Sequence, residues 1–125
     1  MSKCVLDSSA LLAFLHRELG YETVGAVLDG AAMSTVNVAE VATKLTDRGA
    51  VRIRESIRDL KISIVDFDEE LSYQVAALRP ATRDFGLSLG DRACLATAQR
   101  FGLRAVTADR DWSRLKIGVE IQVIR

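Results

Sequence analysis

The feature that most constrains this chain is an alternation. Short apolar, β-branched runs are separated from end to end by stretches of helical length and periodicity. Cys4-Val5-Leu6, Ala31 to Ser34, Ile62 to Phe67, Arg104 to Thr107 and Glu120 to Ile124 read as strands. Ser8 to Arg17, Tyr21 to Leu28, Thr35 to Asp47, Val51 to Leu60, Asp68 to Arg79 and Leu89 to Phe101 read as helices. Thr82 to Leu87 reads as a loop and Asp109 to Leu115 as a short helical turn. Strands separated by helices pair in parallel through right-handed crossovers. The expected fold is therefore α/β, with a central, mainly parallel sheet of about five strands covered by helices on both faces. At 125 residues the chain is expected to form a single domain, residues 1–125.

The helix ends carry their own signals. Asp7-Ser8-Ser9 and Ser88 supply N-caps, Gly49 and Gly102 supply stops, and Asp68-Glu69-Glu70 places negative charge where the helix dipole favours it. Pro80 is expected to end the preceding helix near Arg79, because the residue before a proline is biased away from the helical region.

Composition excludes several kinds of chemistry. Cys4 and Cys94 stand far apart with no Cys-x-x-Cys spacing, so a zinc ribbon and a dithiol redox motif are both absent, and each reads as a small core residue. The single histidine, His16, cannot furnish a multi-histidine metal site and reads as a surface residue late in the first helix. No targeting segment or membrane-length apolar run is evident, which places the expectation in the cytoplasm. The 17 basic residues balance the 17 acidic ones; 13 of the basic residues are Arg, the side chain whose planar fork best matches phosphate. Chemistry in this chain must rest on carboxylates, hydroxyls and Arg.

In an open parallel sheet the binding crevice lies beyond the carboxyl ends of the strands, where strand order reverses. Asp7 ends the first strand and Asp109 follows the fourth by two residues, so both are candidates for that crevice, although each could equally be a helix cap. Asp91 heads the stripe Asp91, Cys94, Leu95, Ala98 on the core-facing side of its helix. A carboxylate there must be hydrogen-bonded, neutralised or bound to a cation. A capping box, Ser88-Leu89-Gly90-Asp91, competes with the site reading. Glu40 lies opposite the apolar stripe Val38, Val41, Ala42, Leu45, and periodicity alone assigns it to solvent.

Four segments, in order, resemble the successive motifs of PIN-domain ribonucleases, specifically the VapC toxins of bacterial toxin–antitoxin pairs. They are Val5-Leu6-Asp7-Ser8-Ser9-Ala10-Leu11-Leu12-Ala13, Ser34-Thr35-Val36-Asn37-Val38-Ala39-Glu40-Val41, Leu87-Ser88-Leu89-Gly90-Asp91-Arg92-Ala93-Cys94-Leu95-Ala96 and Val106-Thr107-Ala108-Asp109-Arg110-Asp111-Trp112. The resemblance implies a three-layer α/β/α fold and an acidic pocket of Asp7, Glu40, Asp91 and Asp109 holding Mg²⁺ or Mn²⁺. It further implies supporting hydrogen bonds from Ser9, Thr107 and Asn37, and it moves Glu40 from solvent into the crevice. Asp111 matches less closely and falls at the pocket edge or in solvent. The same resemblance implies cleavage of structured RNA such as tRNA, neutralisation by a small VapB-like antitoxin, and a homodimer.

Oxygen ligands without His or Cys suit Mg²⁺ or Mn²⁺ rather than zinc. Carboxylates about 4 Å apart repel by roughly 4 kcal/mol per pair at an effective dielectric near 20, so a cluster of four calls for a cation or retained protons. Arg92 and Arg110, each next to an acid of the set, are the candidates for RNA phosphate contacts. The chain has no evident aromatic stacking platform, which favours recognition of RNA by shape. Two other readings compete: a receiver-type phosphoacceptor domain, which shares the length and an Mg²⁺-binding acidic pocket, and a catalytically inactive binding module of the PIN fold.

Overall fold

The structure is a computed structural model that describes residues 1–125. The strands are β1 (Cys4–Leu6), β2 (Ala31–Ser34), β3 (Ser63–Val65), β4 (Arg104–Thr107) and β5 (Ile121–Val123). The helices are α1 (Ser8–Leu15), α2 (Tyr21–Val27), α3 (Thr35–Asp47), α4 (Ile53–Asp59), α5 (Glu69–Ala77), α6 (Arg79–Thr82) and α7 (Leu89–Phe101), with 3₁₀ turns at Arg83–Phe85 and Arg110–Arg114. All strand pairs are parallel, in the order β3-β2-β1-β4-β5.

The two-residue period of a strand divides the core into two layers. From the central strand, Val5 packs with Ala32 and Ala105 against Leu71 and Val75 of α5, the buried residues of α7 from Ala93 to Ala96, and Trp112. Its neighbours Cys4 and Leu6 pack with Ala31, Met33 and Val106 against Ala10, Leu11 and Ala13 of α1, Val24 of α2, Val41 of α3 and Ile57 of α4. This is the expected three-layer α/β/α architecture. No helix is long and apolar enough to cross a membrane.

Strand order separates this fold from a receiver domain. A receiver's sheet runs 2-1-3-4-5. Here β1 lies between β2 and β4, so the chain builds outward through β3 on one side and returns to the other side of β1. The receiver reading is thereby excluded. The reversal sits between β1 and β4, the strands that precede Asp7 and Asp109.

Local expectations hold or fail for identifiable reasons. Asp68 N-caps α5 by accepting from the Leu71 N–H at 2.9 Å, and its carboxylate also takes the Arg100 fork at 2.8 and 2.9 Å, tying α5 to the end of α7. That fork holds the Asp68 carboxyl down to about 2. Proline does not end the helical path at Arg79: α5 stops at Ala77, and Pro80 sits in the first turn of α6, where its missing N–H would have had no partner. Thr82 therefore belongs to a helix, and part of the expected loop is a 3₁₀ turn. Val51 stands outside α4 and is exposed. β3 is a three-residue edge strand with Ile64 on the surface, shorter than the apolar run Ile62 to Phe67. His16 is the C-cap of α1, and its Nε2 is buried without a protein partner, so it is not the free surface residue expected from its position.

Trp112, from the 3₁₀ turn after β4, is the largest fully buried side chain. Its indole N–H has no hydrogen-bond partner. Trp112→Ala is expected to lower the unfolding free energy by about 3–5 kcal/mol in a urea melt. Trp112→Phe should cost less than half of that, since it fills most of the space and removes an unsatisfied donor; equal losses would contradict this account.

Candidate active site

The turn after β1 supplies the first acid. Asp7 is only 4% exposed and N-caps α1, its Oδ1 accepting from the Ala10 N–H at 2.8 Å. The Ser9 hydroxyl donates to the same carboxylate at 2.8 and 2.9 Å, and Thr107 Oγ1, at the end of β4, donates to Oδ2 at 2.6 Å. Ser9 Oγ accepts from the Ala108 N–H and Thr107 Oγ1 from the Asp109 N–H, both at 3.0 Å. The ends of β1 and β4 are thus stitched together around one buried carboxylate. Burial pushes the Asp7 carboxyl from 3.8 up to about 6, against the hydrogen bonds from Thr107, Ala10 and Ser9, and the charge of Asp91 adds to the rise.

The opposite wall comes from α3 and α7. Asn37 is buried; its amide Nδ2 donates to Glu40 Oε1 at 2.9 Å and to the Gly90 carbonyl at 3.0 Å, and lies 3.3 Å from Ser8 Oγ. The Ser8 hydroxyl also donates to Glu40 Oε1. Glu40 consequently turns into the crevice, not to solvent. A Cβ on Gly90 would stand 2.3 Å from Glu40 Oε2 and 2.5 Å from its Cδ and Oε1, so the Glu40 carboxylate occupies space that only glycine leaves open. Asn37→Ala is expected to cost about 0.5–1.5 kcal/mol in a denaturant melt, because it removes the amide's hydrogen bonds to the Gly90 carbonyl and to Glu40. A loss below about 0.5 kcal/mol would show that this network does not hold the wall.

Asp91 forms its capping box and still lies near the other acids. Ser88 Oγ accepts from the Asp91 N–H at 3.1 Å while Asp91 Oδ2 accepts from the Ser88 N–H at 2.9 Å, which completes the capping box. The box uses one carboxylate oxygen and leaves the group within the field of the others. Burial raises the Asp91 carboxyl, the Ser88 hydrogen bonds oppose that rise, and the charges of Glu40 and Asp109 reinforce it. The thiol of Cys94, one turn further along α7, is pushed well up by burial and then by Asp7, Asp91 and Glu40. Asp109 is exposed at the mouth, where its Oδ1 caps the following turn by accepting from the Asp111 N–H at 2.9 Å. Asp111 faces solvent at the edge, 3.9 Å from Arg114.

The structure therefore brings Asp7, Glu40, Asp91 and Asp109 to the carboxyl ends of β1 and β4, with Ser9, Thr107 and Asn37 bonded among them. None of the four acids pairs with a Lys or Arg. Arg92 does not reach toward the crevice as a free cation: its Nη1 donates to the Val75 carbonyl of α5 at 3.3 Å. Arg110 is exposed beside Asp109, its Nε donating to the Arg125 carbonyl at 3.0 Å. Ser8, a helix-cap residue by sequence, and Gly90, immediately before Asp91, join the site only through these tertiary contacts.

The donor chemistry fits a hard divalent cation: all-oxygen side chains, two with raised carboxyl pKa, and no neutralising base. The spacing is that of carboxylates held apart, with no three of them gathered around a common point. Asp7, Glu40, Asp91 and Asp109 are the residues that would hold such a cation.

A model of the PIN domain matches residues 4–118, and the chain belongs to the PIN-domain family. Among solved structures it is similar to a toxin–antitoxin complex from Klebsiella pneumoniae, at a TM-score of 0.71 and 20% identity over 95% of this chain and 100% of that one. It is likewise similar to DNA-bound VapBC from Salmonella typhimurium, at 0.71 and 16% over the whole of both chains. Mycobacterium tuberculosis VapC20, described as a Sarcin-Ricin loop cleaving toxin, aligns at 0.72 and 15% over 94% of this chain and 99% of that one. At such identities the likeness is one of fold. No curated protein sequence matches significantly.

Proposed function

We propose that this chain is a VapC-like toxin, a metal-dependent endoribonuclease that hydrolyses RNA phosphodiester bonds in the cytoplasm and is neutralised by a small VapB-like antitoxin. The observation that carries the reading is the placement of four carboxylates, none with a Lys or Arg partner, around the point where strand order reverses, with Asp7 buried there. The solved structures of similar fold include toxin–antitoxin complexes and a Sarcin-Ricin loop cleaving toxin, which supports the toxin reading and the antitoxin as partner. Structured RNA such as tRNA is the substrate class that a crevice without an aromatic platform fits best. A single PIN domain over residues 1–125, working as a homodimer, completes the proposal.

In this reading Asp7, Glu40, Asp91 and Asp109 hold Mg²⁺ or Mn²⁺. When bound there, such a cation would supply Lewis-acid activation of water and charge neutralisation at the phosphate. The protein's own contribution is placement. Thr107 and Ser9 fix the Asp7 carboxylate through three hydrogen bonds, Ser8 and Asn37 aim Glu40, and the Ser88 box fixes Asp91. The raised carboxyl groups of Asp7 and Asp91 retain protons more readily in the absence of a cation, and binding one displaces them.

The test is direct. Purified protein incubated with total cellular RNA should produce discrete new ends with MgCl₂ or MnCl₂ and none with EDTA. Expression should arrest growth unless the neighbouring small reading frame is co-expressed. RNA left intact with either metal would overturn the proposal, and intact four-acid geometry without cleavage would point to the inactive binding module.

A further inference from the structure

The face of α3 that turns Glu40 into the crevice continues as a row of cations. Lys44 and Arg48 follow Glu40 at intervals of four residues, so they lie on the same side of the helix, successive members about 6 Å apart along its axis. Together with His16 and Arg125 they line a cleft of about 230 Å³. Ser9 lines it too, and the hydroxyl of Ser9 is bonded to Asp7, so cleft and acidic crevice share a wall. Arg125 also lines a second cleft, with Asp109 and Arg110.

The charges of this row are largely unspent. Neither Lys44 nor Arg48 lies within 4 Å of a carboxylate, and both side chains are exposed. Arg125 alone has an acidic side chain near it, Glu18 at 3.5 Å, and it also donates to the Leu19 carbonyl at 3.2 Å. The buried Nε2 of His16 has no partner in the protein. An acidic crevice repels a polyanion, so a nuclease built on one needs cations that hold the strand beside the carboxylates without neutralising them.

We infer that the Lys44–Arg48–Arg125 cleft binds the backbone phosphates that flank the scissile bond, and sets the path by which the RNA strand reaches the acids. This rests on the ribonuclease reading and assigns it a substrate subsite. To Arg92 and Arg110, the candidates from sequence adjacency, the cleft adds residues remote in sequence from three of the four acids.

The measurement is RNA cleavage kinetics across a salt series. Lys44→Ala/Arg48→Ala should raise KM about tenfold with kcat within about twofold of wild type. It should also flatten the dependence of log(kcat/KM) on log salt by about 1.4, two phosphate contacts at about 0.7 each on a single strand. Arg54→Ala/Arg58→Ala on α4 removes the same charge elsewhere and should change neither quantity. Wild-type KM and slope in the Lys44/Arg48 variant, or equal losses in both variants, would overturn the cleft assignment and leave the nuclease standing. So would weakened antitoxin binding by the Lys44/Arg48 variant with unchanged RNA kinetics, which would assign the cleft to a protein partner. Absence of cleavage by the wild type with either metal would strike the ribonuclease reading itself.

Discussion

Asp7→Asn is expected to reduce Mg²⁺- or Mn²⁺-dependent RNA cleavage by at least about a hundredfold, the upper end of what loss of a mere supporting partner of a metal ligand costs. The same substitution should stabilise the protein when metal is withheld. The folded-state carboxyl of Asp7 lies near 6, above its ordinary 3.8, so between those values the folded protein binds more protons than the unfolded chain. Stability of the metal-free protein therefore falls as pH rises from about 4 to about 6, by up to about 3 kcal/mol from this group, and stays low above that. Asn cannot ionise, still caps a helix well, and should abolish that slope. Thermal melts in EDTA at pH 8 should place Asp7→Asn above wild type, and at pH 4 the advantage should vanish. Mg²⁺ should raise the melting temperature of the wild type and leave the variant nearly unmoved. Parallel pH profiles for the two proteins would mean that the buried carboxyl is not strained by burial and by Asp91.

The second large effect is expected from Gly90→Ala. In a helix the change is ordinarily stabilising, by up to about 1 kcal/mol in the interior and less in the first turn, where Gly90 stands. Here the new methyl would meet the Glu40 carboxylate at 2.3–2.5 Å. Because that carboxylate is the far end of a flexible side chain, it yields at small cost to the fold and leaves its place against Asn37. Unfolding free energy should remain within about 1 kcal/mol of wild type, while cleavage falls at least tenfold and the Mg²⁺-induced rise in melting temperature shrinks. A fully active Gly90→Ala would remove Glu40 from the cation site.

Both predictions turn on contacts between residues distant in sequence, and the same distinction marks what could be read in advance. Asp7 and Asp109 were legible because each follows a strand and the topology brings those strand ends together. Asp91 was legible as a conflict, a carboxylate on an apolar stripe, but its two readings could not be separated locally, since one oxygen serves the cap while the group as a whole feels Glu40 and Asp109. Only family resemblance pointed Glu40 toward the crevice, where its carboxylate lies against Asn37 and Gly90. Helical periodicity identifies a polar side and is silent on what faces it; here the polar side faces Gly90 of α7. Arg92 shows the opposite case: its neighbour in sequence is in the crevice, while its own guanidinium donates to the Val75 carbonyl of α5 at 3.3 Å.

What the sequence determined by itself was the order of elements, their caps, the two-sided core and the kind of chemistry available, because these follow from local periodicity and from residue types present or missing. Tertiary structure alone decided the strand order that excludes a receiver, the space that Gly90 leaves for Glu40, and the alignment of Lys44 and Arg48 with Arg125. Each depends on where a crossover lands and which surfaces it presses together, and that is set by burial summed over the whole chain, not by any segment of it.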